Sequence, residues 1–491
     1  MSSIVVKNLT FEYEGGREKI FDNVSFSLDS SWKTGLIGRN GRGKTTFLNL
    51  LLGKYEYGGQ IISDLAFSYF PYEVSNPKAL ALEILQGIAP QAEDWEFIRE
   101  ASLLDVDAEA IYRSFNTLSN GEQTKLLLAA LFLNEGKFLL IDEPTNHLDI
   151  EARHEVSKYL KSKSGFILVS HDRTLLDDTT DHIMAINRND VEIVQGNYSS
   201  WWENRNRQNA FEEAENAKIK KEISHLNDAA KRNATWADKV EKSKFGQTNS
   251  GSKIDRGFVS HKSSKMMQKA KNQERRISDA LTKQEGLLKN VEESEDIKIF
   301  PLDYHSDTLI EGQELSKKFN DRTLFEDLTF KIRRGDRAVI QGKNGSGKST
   351  LLKMIIGEDD EYDGMLKVGS GLTISYLPQT ASFSGSLEDF ALSKGIDRTL
   401  LFTMLRKLGF ERYEFENRLE SLSEGQKKKV MLSASLCEQA HIYIWDEPLN
   451  FIDVISRSQI EDLILKYQPT LLFVEHDEYF TKKIATREIH C

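Results

Sequence analysis

Apolar residues follow two different patterns along this chain. Toward both ends they form short unbroken runs bounded by glycines or carboxylates. Gly35-Leu36-Ile37-Gly38 and Ala338-Val339-Ile340-Gln341-Gly342 run into glycine loops, and Phe138–Ile141 and Ile442–Trp445 end in Asp-Glu. Phe166–Val169 and Leu471–Val474 are further runs of the same kind. Such runs predict buried strands, and the stretches after the glycine loops, 46–52 and 350–356, predict helices. Strand, glycine loop and helix in succession predict an α/β fold with a parallel sheet in each half. The middle differs. No proline occurs between Asn204 and Glu295, and Ile219, Ile223, Leu226 and Ala230 stand at helical spacing. Ile277, Leu281, Gln284, Leu288 and Val291 form a short heptad-like seam, with Gly246, Gly251 and Gly257 between the two runs. This predicts two long helices packed as an antiparallel hairpin, with an irregular tip near 240–262. A helix over 204–240 would extend roughly 55 Å at about 1.5 Å per residue.

The two ends repeat each other. Gly38-Arg39-Asn40-Gly41-Arg42-Gly43-Lys44-Thr45 recurs 304 residues later as Gly342-Lys343-Asn344-Gly345-Ser346-Gly347-Lys348-Ser349. The same offset of 304 relates Leu118-Ser119-Asn120-Gly121-Glu122 to Leu422-Ser423-Glu424-Gly425-Gln426, and Asp142-Glu143-Pro144 to Asp446-Glu447-Pro448. His171 recurs as His476, at 305. Several motifs held at one spacing mark an internal duplication. The expected organisation is one domain over 1–203, a helical linker over 204–300 and a second domain over 307–491.

Charge sharpens the picture of the linker. The chain carries a net charge of −11, yet Lys231 to Arg276 holds 13 Lys+Arg against 4 Asp+Glu. An acidic body with one basic segment fits contact with a polyanion at one place. The longest apolar run, Leu126–Leu133, is eight residues, far short of the about 20 needed to span a bilayer. The first residues lack a basic-then-apolar leader, and two cysteines leave no disulfide scaffold or cysteine metal cluster. A cytoplasmic protein is expected, with no membrane and no DNA as partner.

The glycine loop G-x-x-x-x-G-K-[ST] cradles phosphates, because glycines let backbone N–H groups turn inward and the following helix adds its positive end. Gly38, Asn40, Gly41, Gly43, Lys44, Thr45 and Thr46 are the first candidates; Gly342, Asn344, Gly345, Gly347, Lys348, Ser349 and Thr350 are the second. Lys44 and Lys348 would reach the β- and γ-phosphates. Thr45 and Ser349 would hold Mg²⁺, with Asp142 and Asp446. Glu143 and Glu447 are placed to polarise an attacking water.

Together these strings resemble ATP-binding cassette (ABC) ATPases, over roughly four-fifths of the chain. The resemblance implies two tandem ABC-type P-loop ATPase domains joined by a long α-helical hairpin linker, closing head-to-tail on two ATP molecules. Site one would join Gly38–Thr45, Asp142, Glu143 and His171 to Ser423 and Gly425. Site two would join Gly342–Ser349, Asp446, Glu447 and His476 to Ser119 and Gly121. His171 and His476 would contact the γ-phosphate, and Tyr13 and Phe319 resemble the aromatic that stacks on adenine. Gln379 matches a Mg²⁺-contacting glutamine, whereas Tyr72 stands in that register of the first half. Asn120 and Glu424 replace the usual first signature glycine, and Leu449-Asn450-Phe451-Ile452-Asp453 departs from Thr145-Asn146-His147-Leu148-Asp149. An active ATPase with unequal sites is expected, needing no obligate homodimer.

Two cassettes in one chain around a helical linker resemble the ABC-F class, and Gly35–Thr45 and Gly165–Arg173 resemble its antibiotic-resistance branch of the Lsa and Vga type. That resemblance implies a bacterial 70S ribosome as partner. The linker would enter the E site, touch 23S rRNA and P-site tRNA, and dislodge lincosamide, pleuromutilin or streptogramin A drugs. Lys239, Lys242, Lys244, Phe245, Lys253, Arg256, Phe258 and Lys262 are the RNA-contact candidates, as cations for phosphate and aromatics for stacking. Three rivals stay open: a housekeeping translation factor of the same class, the ATPase subunit of an exporter, and a chromosome or repair ATPase with a coiled-coil arm.

Overall fold

The computed structural model describes residues 3–13, 19–146, 148–187, 190–242, 298–319, 322–380 and 383–491, with parts of 261–279. It divides into two units, Met1–Ser199 with Ser294–Cys491, and Ser200–Glu293.

The first cassette contributes β1 (Ser3–Phe11), β2 (Phe21–Asp29), β3 (Lys33–Gly38), β4 (Gly58–Ile62), β5 (Ala66–Phe70), β6 (Lys137–Asp142), β7 (Phe166–Val169), β8 (His182–Ile186) and β9 (Val191–Gln195). Its central sheet runs β5-β6-β7-β3-β8-β9, parallel except for the β8–β9 pair. The second contributes β10 (Thr308–Phe319), β11 (Arg322–Arg333), β12 (Arg337–Gln341), β13 (Asp363–Val368), β14 (Ile374–Leu377), β15 (Ile442–Asp446), β16 (Leu471–Val474) and β17 (Arg487–His490), with the parallel order β14-β15-β16-β12-β17. β3, β7 and β12, β16 are buried along nearly their whole length, which is why they read as continuous apolar runs.

Each cassette also carries a three-stranded antiparallel sheet, β2-β1-β4 and β11-β10-β13, which the parallel-sheet expectation does not include. The apolar side chains between the two sheets, Ile4, Val6, Leu9 and Phe11 with Leu36, Phe47 and Leu140, form one core. Leu309, Ile310 and Leu315 with Ile340, Leu351 and Ile444 repeat it.

The glycine loops end at the helices Lys44–Leu51 and Lys348–Ile356, and the Leu-Ser motifs open the helices Asn120–Leu133 and Glu424–Cys437. Ser119 and Ser423 each close a capping box with the residue three places on, Glu122 and Gln426. In the linker unit one helix runs Tyr198–Lys242, 45 residues, starting earlier than the spacing predicts. Every described residue between 261 and 279 is helical. Lys244, Phe245, Lys253, Arg256, Phe258 and Lys262 lie outside the described residues, as do the side chains of Lys239 and Lys242. The predicted tip over 240–262 and the seam from Leu281 to Val291 fall almost wholly there too.

Candidate functional site: two nucleotide clefts between the cassettes

The first glycine loop can only be built with glycine. Gly43 has φ 91°, and a Cβ there would stand 2.3 Å from Ile20 Cγ2. Its counterpart Gly347 has φ 100°. Within each loop the lysine is folded back. Lys44 Nζ donates to the carbonyls of Gly38 at 2.8 Å and Arg39 at 3.3 Å, and Lys348 Nζ to those of Gly342 at 2.8 Å and Lys343 at 2.9 Å. Burial lowers both lysines' pKa from the ordinary range. Two buried cations resting on carbonyls at the mouth of a helix N-terminus form a cradle for a polyphosphate.

Beside each loop stands a hydroxyl–carboxylate pair. Thr45 Oγ1 donates to Asp142 at 2.8 Å, and Ser349 and Asp446 hold the matching positions in the second cassette. Asp446 Oδ1 is buried without a hydrogen-bond partner. This hard, oxygen-only set fits a divalent cation that shares its shell with phosphates and water. Among the described residues no group of three or more His, Cys, Asp or Glu could hold a metal alone.

The glutamates that follow are both in left-handed backbone, Glu143 at φ 52° and Glu447 at φ 47°. Such strain in a non-glycine residue persists only where its surroundings enforce it. Here the backbone N–H of each is fixed by the neighbouring strand, Glu143 by Val169 O at 2.9 Å and Glu447 by Val474 O at 3.0 Å. Burial, then the adjacent Asp142, pushes the Glu143 carboxyl up to about 8. Its Oε1 lies 3.4 Å from His171 Nε2, and Glu447 Oε1 lies 3.9 Å from His476 Nε2. Burial, reinforced by Lys44 and Lys348 respectively, drives His171 well below its ordinary pKa and His476 to about 4, so both imidazoles are neutral at pH 7.

The first cleft draws on both cassettes. A cavity of about 430 Å³ is lined by Tyr13, Asn40, Gly41, Gly43, Lys44, Thr45, Thr46, Asp142, Glu143 and His171 from one, and by Ser423, Glu424, Gly425 and Phe451 from the other. Asn40 N donates to Asp453 at 3.3 Å and Asn40 Nδ2 to Phe451 O at 2.5 Å. A Cβ on Gly425 would stand 2.7 Å from Asn40 Nδ2, so the signature glycine is needed for this approach. The second cleft is looser. Gly121, the matching glycine, has Leu148 Cδ2 nearest, at 3.6 Å. First-cassette groups do flank it: Lys343 pairs with Glu151 at 3.1 Å, and Asp149 and Arg153 act electrostatically on His476. Ser119 remains in its own capping box.

The remaining candidates divide. Tyr13 shares a 2.8 Å hydrogen bond with Thr46 and packs edge-on to Phe11 and Tyr55. Phe319 is 68% exposed. Thr350 is partly buried in the first turn of its helix, and Gly345 matches Gly41 in φ, 79° against 82°. Gln379 Nε2 donates to Glu447 at 2.8 Å. Tyr72 does not line the first cleft's cavity; Tyr69, three residues earlier, donates to Asp142 at 3.1 Å instead. Tyr69, Phe451 and Asp453 were not singled out for a role from sequence. Phe451 and Asp453 sit in a motif where the two halves meet, and Tyr69 recurs as Tyr376 outside the glycine-loop, Leu-Ser and Asp-Glu motifs.

Fold and clefts define a tandem-cassette nucleotide-hydrolysing protein. The ABC transporter family profile matches residues 21–146 and 325–450. The chain belongs to that family and is an ATP-binding, ATP-hydrolysing enzyme. Its likeness over almost its whole length to tandem-cassette proteins puts it in the family's ABC-F class. It is 29% identical to the ribosome protection protein VmlR of Bacillus subtilis, over 99% of this chain and 86% of that one. It is 25% identical to the energy-dependent translational throttle protein EttA of Haemophilus influenzae, over 96% and 88%. In fold it is similar to the archaeal ribosome recycling factor ABCE1, solved with the stalk protein aP1, at a TM-score of 0.62 and 19% identity over 98% of this chain and 87% of that one. No described helix is long and apolar enough to cross a membrane.

Proposed function

We propose that this chain is a ribosome-binding ATPase of the Lsa and Vga type that protects the bacterial 70S ribosome from drugs of the peptidyl-transferase centre, namely lincosamides, pleuromutilins and streptogramin A. The likeness of 99% of the chain to a ribosome protection protein carries this reading. The basic balance between Lys231 and Arg276 supports it, because clustered Lys and Arg neutralise RNA phosphates. In this reading ATP lies in both clefts, with Thr45 and Asp142 holding Mg²⁺ in the first and Ser349, Asp446 and Gln379 in the second. The ion supplies neutralisation of phosphate charge. Tyr13 and Phe319 stack on adenine, while Ser423 with Gly425, and Ser119 with Gly121, donate toward the γ-phosphate. Glu143 and Glu447 orient water, helped by His171 and His476. Closure favours the ribosome-bound form, in which the linker, 204–300, enters the E site, meets 23S rRNA and shifts P-site tRNA; hydrolysis releases it in the cytoplasm.

The test is co-sedimentation of a Glu143→Gln/Glu447→Gln variant with 70S ribosomes or with membrane vesicles in ATP, followed by release of ribosome-bound radiolabelled lincomycin. Retention on ribosomes with drug release is expected. Retention on vesicles alone, or ribosome binding without drug release, overturns the reading. The likeness to a translational throttle protein favours a second reading, a housekeeping factor acting on stalled ribosomes. Expression that leaves a susceptible host's drug tolerance unchanged would select it.

A further inference from the structure

The two cassettes differ beneath their catalytic strands by a matched pair of buried charges. At the offset of 304, Thr124 of the first is Lys428 in the second; at the offset of 305, Ser170 is Glu475. Lys428 is 4% exposed and Glu475 5%. An isolated buried ammonium or carboxylate is costly; Lys428 is offset by Glu475, Asp446 and Glu447, and Glu475 by Arg457. Glu475 is among the charges acting on Lys428. Each also holds backbone. Glu475 accepts from the N–H groups of Leu449 at 3.1 Å and His476 at 2.8 Å. Lys428 Nζ donates to three carbonyls: Pro378 at 3.2 Å, Gln379 at 3.1 Å and Asp446 at 3.2 Å.

Those three carbonyls belong to two separate pieces of the second cleft. Pro378 and Gln379 lie in the loop after β14, whose Gln379 side chain reaches Glu447 at 2.8 Å, and Asp446 ends β15. The helix Glu424–Cys437 that carries Lys428 also presents Glu424 and Gly425 to the first cleft. We infer that Lys428 is a positioning residue of the second nucleotide site, tying the Gln379 loop to the Asp446 strand so that Gln379, Asp446 and Glu447 keep one mutual geometry. The first cassette, with Thr124 at this place, has no such ammonium. Losing the tie frees three carbonyls at once, and displacing a reacting constellation by about 1 Å can cost on the order of a hundredfold in rate.

The inference rests on reading Asp446, Glu447 and Gln379 as the chemistry of that site. The test uses the full chain carrying Glu143→Gln, so that turnover reports the second site. Lys428→Thr is expected to lower both the thermal midpoint and kcat, because it leaves three buried carbonyls without their donor and takes a cation away from buried Glu475, Asp446 and Glu447. Lys428→Thr with Glu475→Ser transplants the first cassette's pair, and separates structure from positioning. Expected is recovery of the thermal midpoint with kcat still tenfold or more below the parent, and KM for ATP within about threefold. Lys427→Thr removes a charge from the same turn on its solvent side and should leave kcat within twofold. Recovery of kcat together with the thermal midpoint, or a loss confined to KM, overturns the inference. If only the transplanted pair folds, its kcat decides the matter alone. Failure of the site assignment shows separately, as hydrolysis persisting in Glu143→Gln/Glu447→Gln with Lys428 intact.

Discussion

At the scale of single residues, the decisive feature is that Glu143 and Glu447 share a strained backbone as well as a motif position. Both sit at positive φ directly after a strand-terminal aspartate. The left-handed turn lets consecutive carboxylates diverge, one toward the Thr or Ser hydroxyl and one toward the histidine. Replacing either glutamate by glutamine keeps the shape and removes the base. Each single variant should keep turnover at the other site, whereas the double variant should lose it by a factor on the order of 10² or more while still binding ATP. Phosphate release and equilibrium nucleotide binding on the three variants check this; full hydrolysis by the double variant would contradict it. Residues of this kind were legible in the sequence because duplication wrote them twice. Lys428 and Glu475 were not, because each is a place where one half lacks what the other has, and a repeat search weights agreement; Tyr69 recurs as Tyr376 but lies outside the glycine-loop, Leu-Ser and Asp-Glu motifs. Tyr72 holds the register of Gln379 but does not line the first cleft's cavity.

At the scale of elements, the antiparallel sheets explain what periodicity could not show. Along β1 the buried positions are Ile4, Val6, Leu9 and Phe11, so the two-residue alternation slips by one between Val6 and Leu9. The pairing register shifts there, next to Asn8 at φ 51°. β10 does the same around Glu314, at φ 50°. A bulge moves the pattern to the other phase, and the strand stops looking like one. The first glycine loop shows the reverse case, a difference between the halves with a visible purpose. Arg42 pairs with Glu411, and Arg39 Nη1 donates to Lys407 O at 3.3 Å, both across the cassette boundary. The second loop has Ser346 and the exposed Lys343 at those places. The first cleft should therefore hold nucleotide longer. Arg42→Glu should speed release of a fluorescent ATP analogue from the first site several-fold, and Glu411→Arg in the same chain should restore much of the loss. With both sides partly buried, the pair is worth on the order of 1 kcal/mol. Equal release from the variant and the parent would show that the ion pair does not latch the cleft.

At the scale of the whole molecule, the cassettes are joined by a buried charge cluster as well as by the clefts. Arg173 of the first, 2% exposed, meets Glu461 and Asp477 of the second, and Arg457 donates to Asp477 at 2.8 Å. Burial by itself would raise the Asp477 carboxyl, but Arg173 and Arg457 outweigh it and hold the group at about 2. A carboxyl whose pKa is lower folded than unfolded contributes stability that is fully present above the ordinary carboxylate value, near 4, and is lost as pH falls through the folded value. The window is thus pH 4 down to 2, and the shift corresponds to roughly 2 kcal/mol. Asp453, which accepts from Lys429 at 2.7 Å, is also held below the carboxylate range and acts in the same direction. Asp477→Asn should lower the thermal midpoint at pH 7, because it takes the carboxylate from buried Arg457 and leaves buried Arg173 with Glu461 alone, and should flatten the fall in stability between pH 4 and 2. Calorimetry of both proteins across that range reads the two effects together. An Asp477→Asn protein that loses stability on acidification as steeply as the parent would place the acid-sensitive contacts elsewhere than at this junction.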